Sequence, residues 1–505
     1  MSSQHFDLCI IGGGINGAGI ARDAAGRGFS VLLVEAADLG GATSGASSKL
    51  IHGGLRYLEH GAFGMVRGAL KERERLMGIA PHLITPMEFI LPYDQGQRPE
   101  WIIRLGLFLY DNLVGVGAVP GSRRVDFTSE RGEVYGAPLG DAYEKGFSYY
   151  DGWCDDTRLV VLNAVDAAEK GAQVLTRTIC TSLAEESGRW RVGLKDAVSG
   201  AEDFVSASMV VNATGPWVRG FLNALDLGQD DPDLPDVRLV KGSHIILPRR
   251  YEGAHSYLLQ QPDGRIVFVI PYERDYTLVG TTEVDFDDNP AAAQCSDDEA
   301  AYLCAAYSRF FKKHVTPKDM IFTYSGVRPL VDDGHQKASD VGRGYRIYHH
   351  KRFAPPLLSV FGGKLTTYRA VAEDVVNRLV RLSGRSGAPW TAAWSLPGGD
   401  LGNLSLSTYE ERQKERYSFL PDDVLFRYVR SYGSRMDFFL QGAEDIEGLG
   451  VHYGDGVFEA EVFYLVRYEW ARTLEDVLWR RSKLGLHVSD ETVGKIDEAL
   501  AGMVG

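Results

Sequence analysis

The chain has 505 residues, with 54 Lys and Arg against 68 Asp and Glu, for a formal net charge of −14. At roughly 100–200 residues per domain, that length makes two to four domains with room for a large core, and the acidity excludes sequence-independent nucleic-acid binding, which needs a basic surface. A content of 44% hydrophobic and 24% charged residues excludes a disordered or fibrous chain, and the 58 glycines point to many positions of positive φ or close backbone approach.

In chain order, an apolar run over 7–11 predicts a first strand, followed by a glycine-rich turn, a helix from Ile15 to about Arg27 and a second strand over 31–34 that ends in Glu35. By period and punctuation this is a βαβ unit. Residues 40–54 are mostly small and read as a loop that approaches something closely; helical spacing follows over 55–80. Strand signals return at 174–178, 190–194 and 209–213, the last stopped by Gly215-Pro216. From 238 to 285 the pattern is antiparallel, with strands over 243–247, 256–260, 265–270 and 276–282. The last two are joined as a hairpin by a five-residue loop, 271–275. A helix over 296–312 and a buried strand over 357–361 come next, the strand running into Gly362-Gly363-Lys364 and another helix. Residues 404–503 lack strand alternation and read as helical, beyond a linker at 396–399.

The expected fold class is therefore α/β (α+β overall). A nucleotide-binding domain takes about 1–80, 150–235 and 350–395, interleaved with an antiparallel-sheet domain at about 81–149 and 236–349. A helical C-terminal domain takes 401–505. Five cysteines (Cys9, Cys154, Cys180, Cys295, Cys304) form no C-x-x-C pair and are odd in number. No disulfide framework and no zinc or other metal site are expected, and the compartment is expected to be reducing. Met1 to Asp7 is polar and carries no signal-peptide apolar region. No run reaches the ~20 apolar residues of a membrane span.

Gly12-Gly13-Gly14-Ile15-Asn16-Gly17 is a G-x-G-x-x-G placed directly after a strand and opening a helix. Gly12 makes the tight turn, Gly14 admits a pyrophosphate to the backbone, and Gly17 lets helix and strand pack. The helix N-terminus offers N–H groups to phosphate, and Glu35 offers acceptors to a ribose hydroxyl. NAD and FAD both use this fingerprint. Two later segments favour FAD, whose flavin lies far from its adenine. In Val210 to Trp217 a buried strand returns into Ala213-Thr214-Gly215. In Leu357 to Arg369 a glycine pair opens a helix whose positive end would stabilise charge on a reduced flavin. Lys49, His52 and Arg56 stand in one short segment, Arg328 between a turn and a proline, and Arg343 and Lys364 downstream. Guanidinium and ammonium groups converging beside a flavin would take an anionic substrate, although spacing alone does not bring them together. His52 in the small-residue loop and His244 at a strand start are lone histidines, a residue more often structural than catalytic, but both stand in segments expected near the flavin.

At these residues the sequence resembles the bacterial aerobic FAD-dependent sn-glycerol-3-phosphate dehydrogenases. The likeness lies in Ile11 to Gly19, Ser48 to Glu59, Asn212 to Trp217, Val240 to Ile245, Tyr324 to Leu330, Phe361 to Arg369 and the tail around Asp476 to Lys483. The resemblance implies an FAD-binding Rossmann-like domain of the glutathione-reductase and amino-acid-oxidase type. It places Gly12, Gly14, Asn16, Gly17 and Glu35 on the ADP half of FAD. Thr43, Ser47, Ser48 and Lys49 then line its phosphates and flavin, Gly215 lies behind it, and Gly363, Leu365 and Thr366 meet the flavin ring. Arg56, Tyr57, His244 and Arg343 are expected on the substrate, with the register at Arg343 departing from the family's spacing. Arg328 and Lys364 are expected at the reacting hydroxyl. The activity implied is oxidation of sn-glycerol 3-phosphate to dihydroxyacetone phosphate. His52 is the first choice of base, because its ordinary pKa lies near working pH; His244 and Lys364 are rivals.

The length lacks room for the insertion of the related oxygen-using oxidases, so a membrane quinone is the expected acceptor. The protein is then cytoplasmic and peripheral on the membrane, expected as a homodimer, with 101–110 as a candidate interfacial helix or, equally, a core helix. Two other readings stand: an amine-oxidising relative of the same fold, and a flavin-binding regulatory module without turnover.

Overall fold

The computed structural model describes residues 4–94, 99–115, 117, 119–228, 231–332 and 344–504, the side chains of Glu59 and His60 excepted. Among them, two large sheets and a helical C-terminal domain make up the molecule. The first sheet has eight strands. Its parallel part runs Leu357–Gly362, Glu202–Asn212, His5–Ile11, Val31–Val34, Gln173–Leu175, with Tyr345–His349 antiparallel at one edge. The hairpin Thr178–Glu186 and Arg189–Asp196 pairs onto the long strand Glu202–Asn212. His5–Ile11 and Val31–Val34 are buried on both faces, which is why they read as unbroken apolar runs. Helix Ile15–Gly26 packs one face of this sheet and is buried along almost its whole length. Its alanines and glycines let it lie close to Asp156–Glu169 and Tyr368–Ser383; a Cβ on Gly19 would stand 2.8 Å from the Tyr368 ring.

The second sheet has ten strands, and all but one of its pairings are antiparallel. Val237–Pro248 pairs with both Phe322–Val331 and Tyr276–Gly280, and the order continues through Ile266–Tyr272 and Ser256–Gln260 to Ile84–Tyr93 and Lys145–Cys154. Leu50–Ile51 adds a short edge to Lys145–Cys154, so the small-residue loop passes from one sheet to the other.

Three local expectations need correction. The segment 174–178 is not one strand: Arg177 takes a left-handed conformation (φ 51) that ends one strand and starts the next. The hairpin between Ile266–Tyr272 and Tyr276–Gly280 turns in three residues rather than five, with Glu273 and Arg274 both at positive φ (46 and 66). The C-terminal domain is helical but carries a small hairpin, His452–Gly454 with Val457–Phe458, turned at Asp455-Gly456, both left-handed. That Asp-Gly pair is a hairpin signal hidden in a helical neighbourhood.

The C-terminal domain is bolted to the first sheet's helices by buried charge. Arg158, on helix Asp156–Glu169, grips Glu469 through two hydrogen bonds, one of 2.9 Å, with both side chains fully buried. It also donates to the Ser431 carbonyl at 3.0 Å. Removing one partner of such a pair strands the other charge at about 3–5 kcal/mol, whereas replacing both with apolar groups is often neutral. Glu469→Gln is expected to lower stability to urea by about 3 kcal/mol. Arg158→Met with Glu469→Met should cost less than either single change, and a double variant no better than the singles would contradict this account.

Candidate active site

Four strands of the first sheet end together. Ile11, Val34, Asn212 and Gly362 lead into Gly12, Glu35, Ala213 and Gly363 around one cavity of about 2010 Å3. Ligands of open parallel sheets bind in that crevice, at the carboxyl ends of the strands. The volume exceeds the roughly 300–1,000 Å3 of an ordinary small-ligand pocket, as an extended dinucleotide with a substrate requires.

The glycine turn is built by contact. Gly12 sits at φ +110, and a Cβ there would lie 2.6 Å from the Ala213 carbonyl oxygen; a Cβ on Gly17 would lie 1.8 Å from the Gly12 carbonyl. Any side chain at either position would push the strand and helix apart. Helix Ile15–Gly26 begins at Gly14, which has no side chain of its own to cap it; the Ser44 hydroxyl from the following loop accepts the Ile15 amide at 3.0 Å. Asn16 donates to the Gly362 carbonyl at 3.2 Å, while its Oδ1 is buried without a partner among the described residues, an acceptor facing the cavity wall. Glu35 accepts the Gly13 and Ala37 amides at 2.6 and 2.8 Å, and burial pushes its carboxyl above the usual range. A bare turn, a helix N-terminus that opens on the cavity and a carboxylate just past the next strand suit the ADP half of FAD.

The loop after this turn is organised by Asp156, which the sequence reading did not single out. Fully buried, its carboxylate accepts the Ser47 amide and hydroxyl at 3.1 and 2.7 Å and the Lys49 ammonium at 2.8 Å. Lys49 is itself buried and left-handed (φ 58), with its ammonium over the Tyr272 and Tyr324 rings. Its charge therefore goes to the loop's own structure. Thr43 donates to the Val327 carbonyl at 2.6 Å, tying the loop to the second sheet.

Ser48 Oγ is 2.8 Å from His244 Nε2, and the His244 ring stacks on Tyr324 at 4.7 Å. Burial, then the charges of Arg328 and Lys49, push the His244 pKa well below the ordinary value. His244 is thus a neutral residue behind the cavity wall, not a group on the cavity surface as expected. The His52 amide donates to Thr366 Oγ1 at 3.2 Å, and its ring lies 6.5 Å from Phe268. Beneath it, the Gly53 amide donates to Tyr110 Oη at 2.8 Å, and Tyr110 in turn donates to Asp151, which Arg73 holds at 3.0 Å.

Arg328 donates to the Thr281 hydroxyl at 3.0 Å and the Thr282 carbonyl at 3.4 Å. Behind it, Thr282 and Ser243 donate to Glu299 at 2.6 and 2.8 Å, and Lys241 pairs with its other oxygen at 2.8 Å. Against the effect of burial, these partners hold the Glu299 carboxyl down at about 2. Lys364 places its ammonium 4.1 Å from the centre of the Tyr57 ring.

All the expected site residues line this cavity except Gly17, which packs behind the turn, His244, which lies behind the wall, and Arg343, which falls outside the described residues. Eight basic and six acidic side chains line the cavity, and Lys49, Lys483 and Arg265 are matched by Asp156, Asp155 and Asp263 just outside it. The C-terminal domain adds Glu475, Trp479, Arg480 and Lys483 to the wall, which no local sequence signal indicates. Among the described residues no cluster of side chains could hold a metal ion.

The comparisons agree with this construction. Residues 7–369 match the family model described as FAD dependent oxidoreductase, and residues 390–504 match the C-terminal domain of alpha-glycerophosphate oxidase. The chain is 46% identical over 487 residues to the D-erythritol 1-phosphate dehydrogenase of Brucella abortus, covering 96% of each. It is 44% identical over 495 residues to the aerobic glycerol-3-phosphate dehydrogenase of Escherichia coli, covering 98% of this chain and 97% of that one. In fold it is similar to a glycerol-3-phosphate dehydrogenase from Bacillus halodurans complexed with FAD, at a TM-score of 0.75 and 24% identity, over 100% of this chain and 95% of that one. The chain belongs to the FAD-dependent oxidoreductases, in the family that holds the bacterial aerobic glycerol-3-phosphate dehydrogenases, and it is an enzyme of that flavin-dependent class.

Proposed function

We propose that this enzyme oxidises the secondary hydroxyl of sn-glycerol 3-phosphate to give dihydroxyacetone phosphate, and passes the electrons to a membrane quinone. The observation that carries this reading is the placing of Arg56, Arg328 and Lys364 on the wall of one cofactor cavity. It suits a phosphate monoester, and relatives similar from end to end are named for that substrate. FAD, when bound, supplies a two-electron acceptor for the hydride leaving C2. Arg56 grips the phosphate through the fork of its guanidinium, and Lys364 lies close to the reacting hydroxyl. Arg328, oriented by Thr281 and Thr282, faces the hydroxyl oxygen and stabilises the negative charge that grows there.

His52 takes the hydroxyl proton. His244 is the poorer base, since burial and two neighbouring cations oppose its protonation. The Lys364 ammonium lies over the Tyr57 ring, a cation–π contact that a neutral amine would lose.

One finding favours a second substrate. The relative named D-erythritol 1-phosphate dehydrogenase is as similar, at 46%, as the glycerol-3-phosphate dehydrogenase of Pseudomonas aeruginosa. Both compounds carry a phosphate monoester and secondary hydroxyls, so cations alone do not separate them.

Contact with a membrane fits helix Glu100–Asn112. It turns Leu107 and Tyr110 inward and leaves Trp101, Leu105 and Phe108 exposed, at 66%, 49% and 61%. Ile103 packs inward, so it is not part of that face. Among the described residues no helix is long and apolar enough to cross a membrane.

Anaerobic addition of sn-glycerol 3-phosphate to the yellow holoenzyme is expected to bleach the flavin, with a higher kcat/KM than D-erythritol 1-phosphate. The reverse order would move the assignment to the tetritol ester, and no bleaching by either would overturn both. His52→Ala should lower turnover by about 10²-fold or more with flavin content unchanged; near-normal turnover would remove His52 as the base. Arg328→Ala should cost about 10²–10³-fold in kcat, again with flavin retained, and loss of flavin at normal residual turnover would contradict its place at the oxygen. Leu105→Glu with Phe108→Glu should cut co-sedimentation with lipid vesicles while dye-coupled activity persists, and unchanged sedimentation would exclude this helix.

A further inference from the structure

The C-terminal domain meets the cofactor cavity through one short segment. Asp476–Arg481 winds as a π-turn, a wider form that occurs mostly as single turns and often at functional sites. Two arginines leave it side by side. Arg481, fully buried, grips both oxygens of Asp38, one at 2.8 Å, and donates to the Glu469 carbonyl at 2.9 Å. Arg480 adds a third bond to Asp38 at 2.7 Å.

Asp38 is 3% exposed and lies in the loop 36–42 that follows Glu35. The same loop is stitched to the glycine turn, since Gly40 donates to the Gly13 carbonyl at 3.1 Å. Asp476, from the π-turn, grips a second segment of the first sheet. It pairs with Arg177 at 2.5 Å, and the Arg177 amide donates to the Ala37 carbonyl at 2.7 Å. Two carboxylates and three guanidiniums thus tie the C-terminal domain to the backbone just past two adjacent strands, Val31–Val34 and Gln173–Leu175. Arg480, Trp479 and Glu475 share the cavity wall with Glu35, Asp38 and Gly14.

The end of the second strand in a βαβ nucleotide fold is where the adenosine ribose sits. We propose that the C-terminal domain is a working part of the cofactor site: its π-turn clamps loop 36–42 through Asp38 and shapes the pocket for the ADP half of FAD. Arg480 and Arg481 are then positioning residues for the cofactor. The domain's contribution is to affinity for FAD, not to the reaction at the flavin.

Full-length Arg480→Gln, Asp38→Asn and Arg481→Lys proteins test this through flavin retention on gel filtration and the FAD Kd of the deflavinated protein. Competition by ADP as a probe and far-ultraviolet circular dichroism complete the set. Arg480→Gln and Asp38→Asn are expected to weaken FAD at least 10-fold and ADP by the same factor, with the dichroism unchanged. Arg481→Lys, which keeps the charge, should fall less. Folded Arg480→Gln with FAD and ADP affinities within twofold of the parent overturns the proposal, and so does a loss of FAD affinity that leaves ADP untouched. Arg480, at the edge of the turn with 15% of its side chain exposed, decides the matter should Asp38→Asn fail to fold.

Discussion

The buried carboxylate of Asp156 is the interaction on which the rest of the site depends. An unpartnered carboxylate in that position would cost several kcal/mol in desolvation; here it is matched by the Lys49 ammonium and by two donors from Ser47. The chain at Lys49 turns left-handed, and the amide and hydroxyl of Ser47 meet the ammonium of Lys49 on one helix start. Once that loop is set, its neighbours have little freedom. Tyr324 donates to the Ser47 carbonyl at 2.8 Å and lies flat on His244, which in turn meets Ser48. The second sheet is thereby registered on the first by a chain of buried polar contacts.

A second carboxylate does for the other wall what Asp156 does for this one. Glu299 caps its own helix, Asp297–Ser308, and at the same time takes donors from Ser243, Thr282 and Lys241. Thr282 is the residue whose carbonyl meets Arg328. A guanidinium that stabilises a developing oxyanion is useful only if it does not have to reorganise during the reaction. Ionised groups deep in the protein hold the hydroxyls, and the hydroxyls and carbonyls hold the arginine.

What could be read from the sequence follows the range over which each constraint acts. The Gly12 to Gly17 turn, the strand into Gly215 and the glycine pair at 362–363 are legible because close approach removes side chains from consecutive positions, leaving a local mark. Lys364 and Tyr57 are separated by three hundred residues, and only recognition of whole motifs placed them together. Asp156 leaves no such mark, because Asp155-Asp156 reads as an ordinary helix start and its partners lie more than a hundred residues away. His244 shows the converse. A histidine at a strand start beside apolar residues reads equally as a ligand contact or a buried hydrogen-bonding group, and only burial distinguishes them. The turns at Arg177 and Glu273 lie beyond that range, because left-handed backbone at such residues is imposed by tertiary packing against local preference, whereas Asp455-Gly456 carries a local hairpin signal that its helical surroundings mask.

The same reasoning explains why the C-terminal domain is compositionally distinct yet inseparable from the rest. Its core is its own, built of tyrosines and leucines around Tyr428, Tyr432 and Leu465, so the sequence reads as a separate unit. Its interface is ionic: Arg158 with Glu469, Arg435 with Glu169, Arg177 with Asp476 and two arginines on Asp38. Apolar interfaces tolerate small slips, because dispersion and burial are not directional. A bidentate guanidinium–carboxylate contact is directional to within a few tenths of an ångström. Two such contacts, Arg158 on Glu469 and Arg481 on Asp38, with the single ionic bonds beside them, therefore fix a single relative position of the two parts, and that position fixes the wall that Trp479, Arg480 and Lys483 give to the cavity. A purely hydrophobic interface of the same area would hold the domain as tightly but would leave the edge of the cofactor site less well defined.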